Sequence, residues 1–207
     1  MRYRLLTESS ELFYEGLPSI GTMDKRSLRR SFCYNGVMRR VEGEEFLGVK
    51  PYFELAADIA KSATCLRAKC GSVIVKNSVV IGEGCNSPAL DREDQRLCEA
   101  DMDTSIKPKY DKTCCIHAEW RAVLDACKTN SDKLAGSVLY FMRVDESGVF
   151  TDAGDPFCTV CSRLTMEAGI DEFALYNHNG ADIYPLDEYN RKSYEAYVRS
   201  SSSELSP

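Results

Sequence analysis

The sequence predicts an α/β fold, a mixed five-stranded sheet flanked by helices. Three observations point there. Helix-period and strand-like runs alternate from Pro51 onward, turn chemistry joins two of the strand-like runs directly, and the composition suits a buried core. The chain has 207 residues, 43% of them hydrophobic and 28% charged. A chain of this size buries roughly 70% of its unfolded surface, so a core needs no disulfide staples.

Taken in order, the first fifty residues lack a period. Gly16, Pro18, Gly21, Gly36, Gly43 and Gly48 punctuate them, and only the stretch near Asp24 to Phe32 looks helical. Residues 1–50 therefore read as an appendage, 51–199 as the domain and 200–207 as a disordered, solvated tail. Phe53, Leu55, Ala56, Ile59 and Ala60 approximate one helical face, with Pro51 suited to the first turn of a helix over about 51–63. Gly71 to Gly84 reads as two β-branched strands turning at Lys76-Asn77-Ser78. Residues 85–114 form a long polar loop with room for a short helix. Ile116, Trp120, Val123, Leu124 and Cys127 then keep helical spacing within Cys115–Cys127. Ser137 to Val144 is a buried-strand run, Thr159 to Ala168 a helix that Gly169 would end, and Asp171 to Tyr176 the next strand. Asn177-His-Asn-Gly180 has turn chemistry leading into a strand at Ala181–Tyr184, and Asp187–Arg199 is a final amphipathic helix.

Composition narrows the function. No stretch approaches eighteen uninterrupted apolar residues, so no membrane span is expected, and no apolar run follows the arginines of Met1–Leu6, so neither is a secretory signal. A cytoplasmic chain with ten cysteines is expected to hold reduced thiols or metal ligands rather than a disulfide framework. The net charge of −6 disfavours a nonspecific nucleic-acid coat. One segment departs from that average. Lys25, Arg26, Arg29, Arg30, Arg39 and Arg40 occur without an acid between them, and the aromatic residues Phe32 and Tyr34 lie among them. Lys25–Arg40 is thus a possible contact for nucleic acid, for a single nucleotide phosphate, or simply a solvated basic face.

Two strings carry chemistry. Cys115-Ile-His117-Ala118-Glu119 opens one helix, and Asp155-Pro-Phe-Cys158-Thr-Val-Cys161 opens another. A Cys-x-x-Cys at a helix N-terminus brings two sulfurs to one side, where exposed N–H groups favour thiolates. Three protein ligands and one open position make a catalytic zinc site, and His117 is the natural third ligand. Glu119, two residues further on, can face the metal without ligating it. Alone, the Cys-x-x-Cys suits a structural zinc or a redox pair equally well, and a lone His-x-Glu carries almost no weight. Their joint occurrence about forty residues apart, each opening a helix after a strand, is far more specific.

These strings resemble the zinc-dependent cytidine and deoxycytidylate deaminases, whose signature is His-x-Glu followed by Pro-Cys-x-x-Cys. Phe157, between Pro156 and Cys158, is a one-residue departure that leaves the cysteine pair untouched. Upstream, Cys70-Gly-Ser-Val-Ile-Val and Gly84-Cys85-Asn86 are similar to the strand and loop of the deoxycytidylate subgroup. The resemblance covers about residues 52–176. It implies a three-layer α/β/α fold, zinc as cofactor on His117, Cys158 and Cys161, and Glu119 as the catalytic proton carrier. It further implies Asn86 and Ala118 as substrate contacts and a homo-oligomer. The implied reaction is hydrolytic deamination of cytosine to uracil, on a free nucleoside or nucleotide. The alternatives are a cytosine or adenine base in RNA or single-stranded DNA, and a non-catalytic zinc module.

Only four residues separate the last two strands, which favours an antiparallel hairpin, whereas the histidine ligand and Gly84-Cys85-Asn86 point to the parallel arrangement of the deoxycytidylate subgroup. Cys98, Cys114 and Cys115, with Cys65 or Cys85, could bind a second, structural zinc, although ordinary buried thiols are the plainer reading. Trp120 is read as helix packing and His178 as a surface histidine.

Overall fold

The computed structural model describes residues 36–96 and 115–202. The helix near 24–32, four of the six basic residues, and Cys98 and Cys114 lie outside them. The described chain opens with a short strand, β1 (Arg39–Val41), followed by helix α1 (Gly43–Lys61). That helix begins eight residues before the expected start at 51, so the boundary expected after residue 50 falls inside it. Glu44 and Glu45 favour its first turn through the helix dipole, and Phe46 joins Phe53, Ala56, Ala57 and Ala60 on the buried face. Pro51 sits mid-helix rather than in the first turn. It is solvent-facing, where water can replace the backbone bond it removes.

Strands β2 (Lys69–Lys76) and β3 (Val79–Cys85) form the expected hairpin. Its turn residues Asn77 and Ser78 have φ of 50° and 63°, the left-handed pair that matches strand twist. Two residues each of β4 (Ser87–Pro88) and β5 (Cys115–Ile116) pair across the long loop, whose described residues carry two 3₁₀ turns. Helix α2 (Ala118–Thr129), strand β6 (Val138–Val144), the short β7 (Phe150–Thr151), helix α3 (Thr159–Glu167) and strand β8 (Glu172–Asn177) follow. Strand β9 (Gly180–Pro185) and helix α4 (Leu186–Ser202) complete the chain. The last helix enters the stretch read as a tail, whose remaining residues lie outside the description.

The sheet order is β1-β9-β8-β6-β2-β3, with β7 added beside β6. The expected five strands form its body, and the two short strands β1 and β7 enlarge it to seven. β6 and β8 run parallel, joined by the crossover through α3, whereas β8 and β9 are an antiparallel hairpin. His178 and Asn179, at φ of 49° and 58°, make its turn, so the hairpin holds and the parallel alternative does not.

Alternation along the strands sorts two cores. Val73, Val75, Tyr140, Met142, Ala174 and Ile183 pack against α1 on one face. Ile74, Leu139, Phe141, Phe173 and Leu175 pack against α2 and α4 on the other, giving the three layers. Glycine sets how close the helices come. A Cβ on Gly71 would lie 1.9 Å from the Ala56 carbonyl oxygen, and one on Gly84 would lie 2.6 Å from the Ala122 nitrogen. Both contacts are to backbone, which cannot turn aside.

Gly71→Ala and Gly84→Ala should therefore each lower stability in urea denaturation by about 1–3 kcal/mol or more. Gly48→Ala, at an exposed helical position with nothing within 4 Å, should instead raise it by about 0.5–1 kcal/mol.

Candidate metal centre and catalytic carboxylate

The β4–β5 pair delivers the chain into α2 at His117, which occupies the N-cap in an extended conformation. Glu119 follows in the first turn, is only 6% exposed, and is buried against the sheet because Gly84 lets α2 come close. At the other side of the site, Pro156 is fully buried while the extra residue Phe157 turns outward at 57% exposure. The departure from the deaminase spacing is thereby absorbed at the surface. Cys158 still caps α3, its sulfur accepting from the Cys161 backbone N–H at 3.4 Å.

The two helix starts bring three donor atoms together. His117 Nδ1 lies 3.1 Å from Cys161 Sγ and 3.7 Å from Cys158 Sγ, and the three atoms all lie within 4.8 Å of one another. Zn–S of about 2.3 Å and Zn–N of about 2.0 Å in a tetrahedron put ligand atoms about 3.5 Å apart. The donor set fits zinc in chemistry and in spacing, and leaves a fourth position open. Among the described residues it is the one such group of histidine, cysteine and carboxylate side chains.

Without metal the three groups share protons. The Cys158 thiol is lowered to about 4, chiefly by the hydrogen bond from Cys161 and then by His117. His117 is raised to about 9 by its hydrogen bond to Cys158, and Cys161 is pushed well above its ordinary value by the same thiolate and by burial. Burial also pushes the Glu119 carboxyl up, against the opposing pull of His117. A raised carboxyl is a stronger base than an ordinary one, which suits a group that must take up a proton and release it again.

The other expected residues divide. Ala118 is wholly buried in the core beside Cys70 and Ala122, so only its backbone N–H, in the unpaired first turn of α2, can reach a ligand. Asn86 is buried, its Oδ1 accepting from the Cys70 N–H and its Nδ2 donating to the Ala68 carbonyl, both at 2.8 Å. Its second amide hydrogen has no partner among the described residues. Trp120 packs its ring 6.3 Å from that of His117, with Nε1 buried and lacking a hydrogen-bond partner among the described residues. His178 sits at the β8–β9 turn, exposed and paired with Asp152.

Cys85 lines a surface groove of about 580 Å³ with Ile59, Arg121 and Leu124, and none of the three donors or Glu119 lines that groove. Cys65, Cys70, Cys85, Cys115 and Cys127 form no disulfide among the described residues, and Cys98 and Cys114 lie outside them. Of the basic segment, Arg39 makes a bidentate pair with Glu172, and Arg40 pairs with Asp182 and Glu42. Sequence reasoning missed the surroundings of the site. Cys70 and Tyr189 lie within electrostatic reach of Glu119, and Cys65 within reach of His117. No spacing marks them, because loop, strand and terminal helix meet only in the fold.

Among the described residues no helix is long and apolar enough to cross a membrane. Comparison with solved structures finds dCMP deaminase from the cyanophage S-TIM5 in apo form, at 20% identity over 60% of this chain and 78% of that one, with a TM-score of 0.40. It also finds RibD of Acinetobacter baumannii, at 18% identity over 63% of this chain but 28% of that one, with a TM-score of 0.35. No curated protein matches the chain. The family match is of a different order: the sequence model described as the cytidine and deoxycytidylate deaminase zinc-binding region covers residues 49–177, including every donor and Glu119. The chain belongs to the cytidine and deoxycytidylate deaminase zinc-binding family.

Proposed function

We propose that the protein is a zinc-dependent hydrolytic deaminase that converts the cytosine base of a free nucleoside or nucleotide to uracil, with water consumed and ammonia released. The observation that carries this reading is the nitrogen and two sulfurs gathered at two helix starts with the buried Glu119 carboxyl beside them. Zinc held by His117, Cys158 and Cys161 would supply a Lewis acid that lowers the pKa of water to about 7. Glu119 takes a proton from the attacking water and passes it to the ring nitrogen; it then takes the proton of the hydroxyl so added to the ring carbon and delivers it to the amine, which leaves as ammonia when the C–N bond breaks. Its burial keeps that proton from bulk solvent. The Ala118 backbone N–H and the second amide hydrogen of Asn86 are the proposed contacts that orient the substrate. The pairing of Arg39 and Arg40 with acids of the same domain supports a small substrate over an oligonucleotide, since those two cations are already engaged.

Ammonia release should be measured from cytidine, deoxycytidine, dCMP, CMP and a short single-stranded oligonucleotide. Turnover is expected on a monomer. Glu119→Gln should keep zinc near one per chain and lose about 10²–10⁴ in kcat. Full activity of that variant would contradict the proposal. Turnover on the oligonucleotide alone would point to a nucleic-acid deaminase, and zinc without turnover to a binding module.

Zinc binding should also be pH-dependent with a definite sign. With His117 raised to about 9 and Cys161 above its ordinary value, both are protonated at pH 7 in the metal-free protein and must lose those protons to ligate. Affinity measured by chelator competition should fall toward acid and rise with pH through about 9, where His117 loses its proton, and continue to rise above it as Cys161 does. His117→Ala and Cys161→Ser should abolish stoichiometric zinc.

A further inference from the structure

We propose that Asn177 is a positioning residue for the zinc ligand Cys158, an inference that rests on the ligand assignment above. Asn177 ends β8, is 6% exposed, and takes no part in the donor set. Its carboxamide grips a single residue of the loop before α3 from both sides. Oδ1 accepts from the Gly154 N–H at 2.8 Å, and Nδ2 donates to the Gly154 carbonyl at 3.1 Å. This is the two-point pairing that a neighbouring strand would make, supplied by one side chain. The other amide hydrogen goes to Asp182 Oδ2 at 2.8 Å, and Asp182 Oδ1 accepts from Arg40 at 3.1 Å. Three of the four hydrogen-bonding positions of the amide are thus filled, which fixes its orientation.

The grip is reinforced by its neighbours. The Ala153 N–H donates to the Tyr176 carbonyl at 2.8 Å, and the His178 N–H to Asp152 Oδ1 at 2.7 Å. Residues 152, 153 and 154 are therefore each tied to the end of β8 or its turn. Cys158 lies four residues beyond Gly154, and the span between them contains the buried Pro156, whose φ is fixed by its ring. Little slack remains in such a span. Asn177 sets the position of Cys158 from upstream and α3 sets it from downstream, while Cys161, inside α3, is held by the helix itself. Gly154 has φ of +79° and open space around its Cα, so a methyl group there disturbs only the backbone the amide grips.

Partners that orient a metal ligand typically contribute 10–100-fold to metal affinity. In the full chain, Asn177→Ala and Gly154→Ala should each weaken zinc binding by about that factor in chelator competition. Both should also lower the thiolate-to-cobalt charge-transfer absorption of the cobalt(II)-substituted protein, because one of two sulfurs is misplaced. Ser137→Ala serves as the control. It removes a buried hydrogen bond to the Leu134 carbonyl away from the loop, and should leave affinity and spectrum unchanged. Zinc affinity within twofold of wild type in both loop variants, with an unaltered cobalt spectrum, would overturn the proposal. If Asn177→Ala fails to fold, Gly154→Ala decides alone. Wild-type protein that binds no zinc would remove the ligand assignment and this inference together.

Discussion

The structure depends on the convergence of two helix N-termini. The starts of α2 and α3 point their unpaired N–H groups and positive dipole ends at one place, a juxtaposition that is unfavourable unless negative charge sits between them. Cys158 supplies it as a thiolate, held low by Cys161, by His117 and by the helix it caps. Metal-binding chemistry and helix capping are therefore met by the same atoms. Burial resists the ionised form of the Glu119 carboxyl beside it, and without metal the protonated His117 is the cation that balances the Cys158 thiolate.

Everything around that point serves to bring the two helices there. Gly71 and Gly84 thin the sheet so that α1 and α2 lie close on opposite faces. The parallel step from β6 to β8 carries α3 across the sheet to lie beside α2, and the β8–β9 hairpin then offers its turn to the loop before Cys158. The first described strand closes this frame. Arg39 and Arg40, the end of the basic segment, pair with Glu172 and Asp182 on β8 and β9, so these cations hold the sheet edge.

What could be read beforehand follows physical locality. The β2–β3 hairpin was legible because Asn77 and Ser78 tolerate left-handed φ between β-branched runs, and the donor set because Cys-x-x-Cys and His-x-Glu mark helix starts in a few adjacent residues. The start of α1 was misread because Pro51 looks like a first-turn residue. Its place on the solvent side, which lets the helix pass through, depends on tertiary packing. β1 and β7 are too short to show a period and exist because a neighbouring edge pairs with them. The backbone hydrogen bonds of Asn86 and Asn177 were illegible for a related reason. Each amide bonds to backbone more than fifteen residues away in the chain, and no local pattern signals such a contact.

The proposed chemistry requires one zinc held by two sulfurs and one nitrogen, with a fourth position open. X-ray absorption at the zinc edge of the purified chain tests it most directly. About two sulfurs near 2.3 Å and two lighter donors near 2.0 Å are expected, at one zinc per chain. A shell of four sulfurs would mark a closed structural site built from other thiols and contradict it, as would the absence of stoichiometric zinc.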